Sequence, residues 1–180
     1  LYVGMNPVIP DLFARAANRI KKQTKKGGNT ADTDVARRRY FLVDVDPRRR
    51  AGISATDDEK AAAQVLAHRI RLHLAGLGWP DPIVADSGNG WHLLYRVDLP
   101  GADDGLLERC LKALASRFDT EETEVDKTVF NAARITKLYG TLVRKGDHTA
   151  ERPHRMSHLV EVPDVVEVVA EEAETSEDPE

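Results

Sequence analysis

The chain has 180 residues, of which 41% are hydrophobic and 31% are charged, a composition typical of one globular domain rather than of a disordered chain. No apolar run reaches the ~18 to 20 residues of a membrane span, and the single cysteine, Cys110, excludes an internal disulfide and a cysteine-rich zinc site. We therefore expect a cytoplasmic domain with no membrane partner. The sequence begins at Leu1 rather than at a methionine, as a piece of a longer protein would.

The net charge of −4 is unevenly distributed along the chain. The last twenty residues carry nine acidic side chains and no basic one, which leaves 26 basic and 21 acidic residues in the rest. This asymmetry predicts a functional body over residues 1–162 and an acidic tail or linker over residues 163–180. The positive balance of the body permits nucleic-acid binding without demonstrating it.

The first part of the chain alternates short apolar runs with turn signals. We predict a strand over Leu1 to Met5 and a helix over Pro10 to Ile20. Lys21 to Asn29 is predicted as a basic loop. A second strand is predicted over Tyr40 to Asp46, where β-branched and aromatic residues dominate before Pro47.

Three helices and four further strands complete the predicted pattern. Thr56 and Glu59 form a capping box that begins a helix, which should end near Gly78. The second of these helices spans Ala102 to Phe118, and a third is indicated over Val165 to Ala173. The four strands are Ile83 to Ala85, Trp91 to Leu99, Thr123 to Val125 and Leu159 to Val162. This order predicts a mixed α/β (α+β) domain.

Two aspartates at the end of the Tyr40 to Asp46 strand suggest a cation site. Strand side chains alternate, so Asp44 and Asp46 point to the same face, roughly 6 to 7 Å apart. Two carboxylates this close repel each other, and a hard divalent cation such as Mg²⁺ or Mn²⁺ relieves that repulsion. The alternative is that both carboxylates are simply solvated beyond the strand end.

A glycine-containing segment lies between two predicted strands, and its candidate nucleotide-binding residues are Ser87, Gly88, Asn89, Gly90 and His92. The glycines allow a tight turn whose N–H groups can approach an anion. Ser87 and His92 add side-chain donors. An ordinary hairpin remains the alternative, because Asn-Gly is itself a strong hairpin signal.

The third segment is basic and follows Asp126, which closes a short strand and is a third candidate metal ligand. If residues 131–135 form a helical turn, Asn131 and Arg134 share one face. Together with Lys137 they suit a triphosphate, because arginine offers a planar fork of donors and lysine a point charge. A solvated basic loop is the alternative.

Taken in order, these segments resemble the three motifs of the archaeo-eukaryotic primase superfamily, in its bacterial, plasmid and phage primase-polymerase branch. Asp44 and Asp46 match the Asp-x-Asp motif, Ser87 to His92 the second motif, and Val125-Asp126 the third. Surrounding phrases are also similar: Asn6-Pro7, Asp46-Pro47, Asn131-Ala132-Ala133-Arg134, Tyr139-Gly140-Thr141, Lys145-Gly146-Asp147 and Arg152-Pro153-His154-Arg155.

The resemblance implies an RRM-like sheet that carries the carboxylates, beside a small N-terminal α/β unit. It implies two divalent ions, Mg²⁺ or Mn²⁺, on Asp44, Asp46 and Asp126. Ser87 and His92 would contact the incoming nucleotide, and Arg134 and Lys137 the triphosphate or template. The expected activity is that of a template-dependent DNA primase and polymerase. Its partners would be a single-stranded DNA template, a primer strand and dNTPs or NTPs, with a helicase or an accessory primase domain as further candidates.

Two other functions are compatible with part of the pattern. A nucleotide-sugar glycosyltransferase also ends a strand in Asp-x-Asp, but Asp126 and the basic segment then have no role. A catalytically inactive replication-initiator domain would bind DNA without needing metal. The basic loop Lys21 to Lys26 and the arginine triplets at 37–39 and 48–50 are candidates for template phosphates, with solubility as the alternative explanation.

Overall fold

The computed structural model describes residues 1–19 and 28–170. The predicted loop at Lys21 to Lys26 and the last ten residues of the acidic tail lie outside these described residues. The strands are β1 (Tyr2–Gly4), β2 (Arg37–Pro47), β3 (Ile83–Asp86), β4 (Trp91–Pro100), β5 (Thr123–Val125), β6 (Ile135–Lys137), β7 (Leu142–Val143), β8 (Arg155–Met156) and β9 (His158–Glu161), and the α-helices are α1 (Asp57–Gly76) and α2 (Leu106–Phe118).

A five-stranded sheet organises the fold. Its strand order is β5-β2-β4-β3-β9, and every neighbouring pair is antiparallel. Four of these strands arise from one run along the chain: β2, α1, β3, β4, α2, β5. The predicted α+β class is therefore confirmed.

Most of the hydrophobic core lies on one face of this sheet, and Leu42 and Leu94 are buried on the other. Alternate side chains of β2, namely Phe41, Val43 and Val45, are buried on the first of these faces because a strand places every second residue on the same side. The two helices contribute the opposing apolar stripes to the same cluster: Ala63, Leu66, Ala67, Ile70 and Leu74 from α1, and Leu107, Leu111, Leu114, Ala115 and Phe118 from α2.

The helix ends show how local sequence sets the boundaries. The predicted capping box is present, since the Thr56 hydroxyl accepts from the Glu59 N–H and the Glu59 carboxylate accepts from the Thr56 N–H. Helix α2 begins later than predicted. The carboxylate of Asp103 accepts from the N–H groups of Gly105 and Leu107, and Gly105 has a φ of 76°, so residues 102–105 form a turn rather than a helical start.

The N-terminal segment differs from its prediction. Instead of an α-helix over Pro10 to Ile20, the chain forms a short 3-10 helix at Pro10–Arg15. Ala16 has a φ of −161° and Asn18 a φ of 48°, and neither value continues a helix. The preceding strand β1 pairs with β6, so this segment is built into the body through a small two-stranded sheet.

The helix predicted from Val165 is also wrong over residues 165–170. Val168 forms a parallel bridge with Arg96, and the Val169 N–H donates to the Arg96 carbonyl at 2.9 Å. Valine is β-branched and favours extended backbone. The predicted domain boundary near Val162 therefore lies within a stretch that still contacts the sheet.

None of the helices in the described part of the chain has the length and apolar character that crossing a membrane requires.

Candidate active site

The sheet face opposite the helices carries a row of polar residues. In the register of β2 and β4, Asp44 lies directly opposite His92. On the other side, the Asp126 N–H, one residue beyond β5, donates to the Asp44 carbonyl at 2.8 Å. Asp126, Asp44 and His92 therefore lie side by side across three neighbouring strands. We call these three residues the polar row.

The polar row forms part of a cleft of about 290 Å³. The cleft gathers most of the predicted site residues from four separate parts of the chain. Those that line it are Asp44, Asp46, Ser87, Asn89, His92, Asp126, Arg134 and Lys137.

Asp44 is at the centre of the cleft, with 19% of its side chain exposed. His92 Nε2 lies 3.3 Å from Asp44 Oδ1, but the angle between the two groups is not that of a hydrogen bond. Among the described residues, this buried oxygen therefore has no hydrogen-bond partner. Burial by itself raises the pKa of Asp44, but His92, Lys145 and Arg134 outweigh burial and hold this pKa below its usual value. Asp44 is therefore an ionised carboxylate with a ligand atom to spare.

His92 is held from its other side by Tyr139. The Tyr139 hydroxyl lies 2.7 Å from His92 Nδ1, and the two rings make an edge contact with centroids 5.8 Å apart. Burial raises the pKa of Tyr139, so its hydroxyl stays protonated at neutral pH. Tyr139 thus orients the imidazole so that Nε2 faces the Asp44 carboxylate.

The surroundings of Asp46 disfavour its charged form. Burial and the charge of Asp44 raise the pKa of Asp46, and the opposing effects of Arg49 and Lys145 do not cancel this. Arg49 Nη1 lies 3.6 Å from Asp46 Oδ1. The repulsion that the sequence predicted between these aspartates is therefore present in the structure, and a bound cation would relieve it.

Asp126 is fixed by a local turn. Its Oδ1 accepts from the Thr128 N–H at 2.8 Å and from the Thr128 hydroxyl at 2.7 Å. Arg134 Nη2 lies 3.9 Å from Asp126 Oδ2 and donates to the same Thr128 hydroxyl. One carboxylate oxygen thus anchors the turn, and the other faces the arginine.

The Ser87 to Gly90 turn is held by its own hydrogen bonds. The Gly88 N–H donates to Asp86 Oδ1, the Gly90 N–H to Ser87 Oγ, and the Ser87 N–H to the Gly90 carbonyl. These three N–H groups are not free to bind an anion in this conformation, contrary to the expectation from the sequence. The turn instead contributes the side chains of Ser87 and Asn89 to the cleft wall, and Asn89 Oδ1 accepts from the Ala55 N–H.

Asn131 does not join the other predicted site residues in the cleft. Its Nδ2 donates to Asp32 Oδ1 at 3.2 Å, and the Ala133 N–H donates to the same oxygen. The Arg134 N–H donates to the Asn131 carbonyl and closes a turn, and both residues line a second groove beside the cleft. Asn131 and Arg134 therefore share a surface as predicted, but that surface is the second groove rather than the cleft.

Most arginines of the two triplets have partners within the fold. Arg38 is buried and donates to Asp103 and to two backbone carbonyls. Arg37 and Arg39 both pair with Asp98. In the second triplet, Arg48 pairs with Asp119 and Glu124, and Arg49 donates to the carbonyls of Pro47 and Ile53.

Three residues of the site were not singled out from the sequence: Tyr139, Thr128 and Lys145. Lys145 lines the cleft, and its carbonyl accepts from the Ser54 hydroxyl at 3.1 Å, which ties the loop to the segment before α1. The signal for Lys145 was the Lys145-Gly146-Asp147 phrase. A residue's place in a loop, however, does not reveal which sheet face that loop covers.

A divalent cation fits the donors of this cleft, although they are not preassembled around one. Across residues 1–19 and 28–170, no group of three or more His, Cys, Asp or Glu side chains is arranged as a ready metal site. Asp44, Asp46 and Asp126 nevertheless share one cleft and offer the oxygen ligands that Mg²⁺ and Mn²⁺ prefer. The unpartnered Asp44 Oδ1 is the atom that such an ion would satisfy first.

Comparison of the chain with models of protein families, with curated proteins and with solved structures gave no match. The function of the cleft is therefore inferred from its own residues and their geometry.

Proposed function

We propose that the chain is a metal-dependent nucleotidyltransferase. The observation that carries this proposal is the polar row, which lines the same cleft as Arg134, Lys137 and Lys145. Grouped carboxylates beside grouped cations are the arrangement that phosphoryl transfer needs, since the carboxylates hold metal ions and the cations hold phosphate oxygens.

The ion pairs of the cleft support this division of roles. Each carboxylate now has a basic side chain nearby: His92 beside Asp44, Arg49 beside Asp46 and Arg134 beside Asp126. Divalent ions on the carboxylates would replace these partners. Arg134 would then be available to a triphosphate, together with Lys137 and Lys145, for which the described residues give no carboxylate within 4.0 Å.

In the proposed reaction, a 3′-hydroxyl attacks the α-phosphate of a nucleoside triphosphate and pyrophosphate leaves. Divalent ions, when bound, lower the pKa of the attacking hydroxyl and neutralise charge on the phosphates. Asp44, Asp46 and Asp126 would hold those ions. Arg134, Lys137 and Lys145 bind and orient the triphosphate, and His92, oriented by Tyr139, contributes a donor beside the reacting phosphate.

Within this class we propose a template-dependent primase-polymerase. The run β2-α1-β3-β4-α2-β5 with spatial order β5-β2-β4-β3 is a split β-α-β arrangement, which supports the RRM-like sheet that the sequence resemblance implies. The carboxylates lie on the face left open by the helices, where a template and a primer could reach them.

A glycosyltransferase remains a poorer account, because the Asp-x-Asp pair alone would hold its metal ion and Asp126 would have no role. A catalytically inactive DNA-binding domain accounts for the cations but gives no role to the three carboxylates that share the cleft.

The test is template-directed synthesis on single-stranded DNA, with and without a labelled primer. Each nucleotide set is supplied in Mg²⁺ and in Mn²⁺. Template-dependent extension that stops on chelation supports the proposal. Metal-independent DNA binding without product would identify an inactive binding domain, and sugar release from a nucleotide sugar would identify a glycosyltransferase.

A further inference from the structure

The small sheet of β1 and β6 presents an exposed face beside the cleft. Tyr2 is paired with Lys137 and Gly4 with Ile135, and strand alternation places all four on one side. We call these four residues the ribbon face. Tyr2 is 60% exposed and Ile135 54% exposed, and Tyr2, Ile135 and Lys137 all line the cleft. An aromatic ring and an aliphatic side chain therefore stand open at the mouth of the site.

Lys137 makes two contacts with Tyr2. Lys137 Nζ lies 4.6 Å from the ring centroid and donates to the Tyr2 hydroxyl at 3.2 Å. A tyrosine has few rotatable bonds, and this double contact restricts them further before any ligand arrives. Gly4, the neighbour on the same face, leaves open space where a side chain would stand, so a flat group can approach the ring.

A second groove continues the surface away from the cleft. It has a volume of about 570 Å³ and shares Arg134 and Ile135 with the cleft. A ligand that extends from the cleft over Ile135 would thus pass Arg134 and remain in a groove. This continuity favours a long, thin and negatively charged ligand over a compact one.

We propose that the ribbon face is a nucleobase-stacking platform for single-stranded DNA entering the cleft, with Tyr2 as the stacking residue and Lys137 as the cation beside its ring. This assignment rests on the proposed function for the identity of the strand, but its chemistry is independent of catalysis. Aromatic faces flanked by cations bind single strands because every base offers a π-face and every nucleotide a phosphate.

Tyr2→Ala should weaken binding of a fluorescent oligothymidine about tenfold, whereas Tyr2→Phe should bind like the wild type because it keeps the ring. Phe13→Ala is the matched control, since Phe13 is an equally exposed aromatic at 62% that lines neither the cleft nor the second groove. Binding is measured in EDTA so that metal and catalysis do not contribute.

A scan with single abasic sites in the oligonucleotide separates stacking from a structural effect. For the wild type, one abasic position should reduce affinity, and in Tyr2→Ala that position should have no further effect. Three results would each contradict the platform. They are an equal loss of affinity in Tyr2→Ala on intact and abasic strands, unchanged binding by Tyr2→Ala, and no binding by the wild type. DNA binding that depends on Tyr2, without primer extension, would support the platform and contradict only the polymerase function. Primer extension that is unchanged in Tyr2→Ala would support the polymerase function and contradict the platform.

Discussion

The two faces of β2 differ sharply although they belong to one strand. Phe41, Val43 and Val45 are at most 1% exposed and pack with the helices, whereas the side chains of Asp44 and Asp46 are 19% and 32% exposed in the cleft. Packing on one face fixes the backbone, and the fixed backbone keeps two mutually repelling carboxylates in place on the other. Packing in the core thus offsets the repulsion between the two carboxylates of the site.

Gly90 lies against the end of β2, next to both the core and the cleft. A Cβ at Gly90 would lie 2.3 Å from the Val45 carbonyl and 2.5 Å from Asp46 Oδ1, so backbone would have to move. We expect Gly90→Ala to lower the free energy of unfolding by about 4 kcal/mol or more, measured by urea denaturation. Gly76→Ala is the control, because a Cβ there meets no described residue within 4 Å. Equal stability of the two variants would contradict the close approach of β4 to β2.

Two neighbouring basic residues test whether the cleft binds the nucleotide through specific contacts. Lys145 lines the cleft, whereas the adjacent Arg144 does not and is exposed. Lys145→Ala should raise the nucleotide KM about tenfold, because it removes a charged contact to phosphate. Arg144→Ala should leave the nucleotide KM unchanged. A similar rise in both variants would indicate general electrostatic attraction instead of a specific contact.

His92 should act on the nucleotide rather than on the template. We expect His92→Ala to raise the nucleotide KM roughly threefold to tenfold, as for loss of one hydrogen bond, with an unchanged Kd for single-stranded DNA. Steady-state kinetics and fluorescence anisotropy measure the two quantities. A change confined to DNA affinity would assign His92 to the template instead.

The smallest expected effect concerns the charge of Asp46 in the absence of metal. Because the folded state raises the pKa of Asp46, its contribution to stability is present below the usual carboxylate pKa and is lost as the pH rises through the raised value. In EDTA at pH 7, Asp46→Asn should therefore be slightly more stable than the wild type, and this difference should shrink toward about pH 4. Thermal unfolding across this pH range checks it, and a less stable Asp46→Asn at pH 7 would contradict the assigned repulsion.

Much of the fold follows from local patterns in the sequence. The strand at Thr123–Val125, the capping box at Thr56 and the strand from Trp91 are confirmed because composition and caps act over a few residues. Alternation along β2 was also enough to place Asp44 and Asp46 on one face.

Long-range register could not be predicted in the same way. Nothing local to His92 or Asp126 specifies that each lies beside Asp44, since this depends on how β4 and β5 pair with β2. Similarly, Asn131 and Arg134 are three residues apart, but Asp32, which is distant in sequence, holds Asn131 away from the cleft. The valines after Val165 fit a helical pattern in the sequence, but in the structure Val168 forms a β-bridge with Arg96.

Primer extension by Asp126→Asn, compared with Glu124→Gln, tests the central claim most directly. Both acids belong to the β5 region, but Asp126 lies in the polar row, whereas Glu124 pairs with Arg48 and does not line the cleft. Loss of a metal ligand should reduce extension in Asp126→Asn by at least about 100-fold, with a folded circular dichroism spectrum, and Glu124→Gln should extend normally. Near-normal extension by Asp126→Asn, or equal loss in both variants, would show that the polar row is not a nucleotidyl-transfer centre.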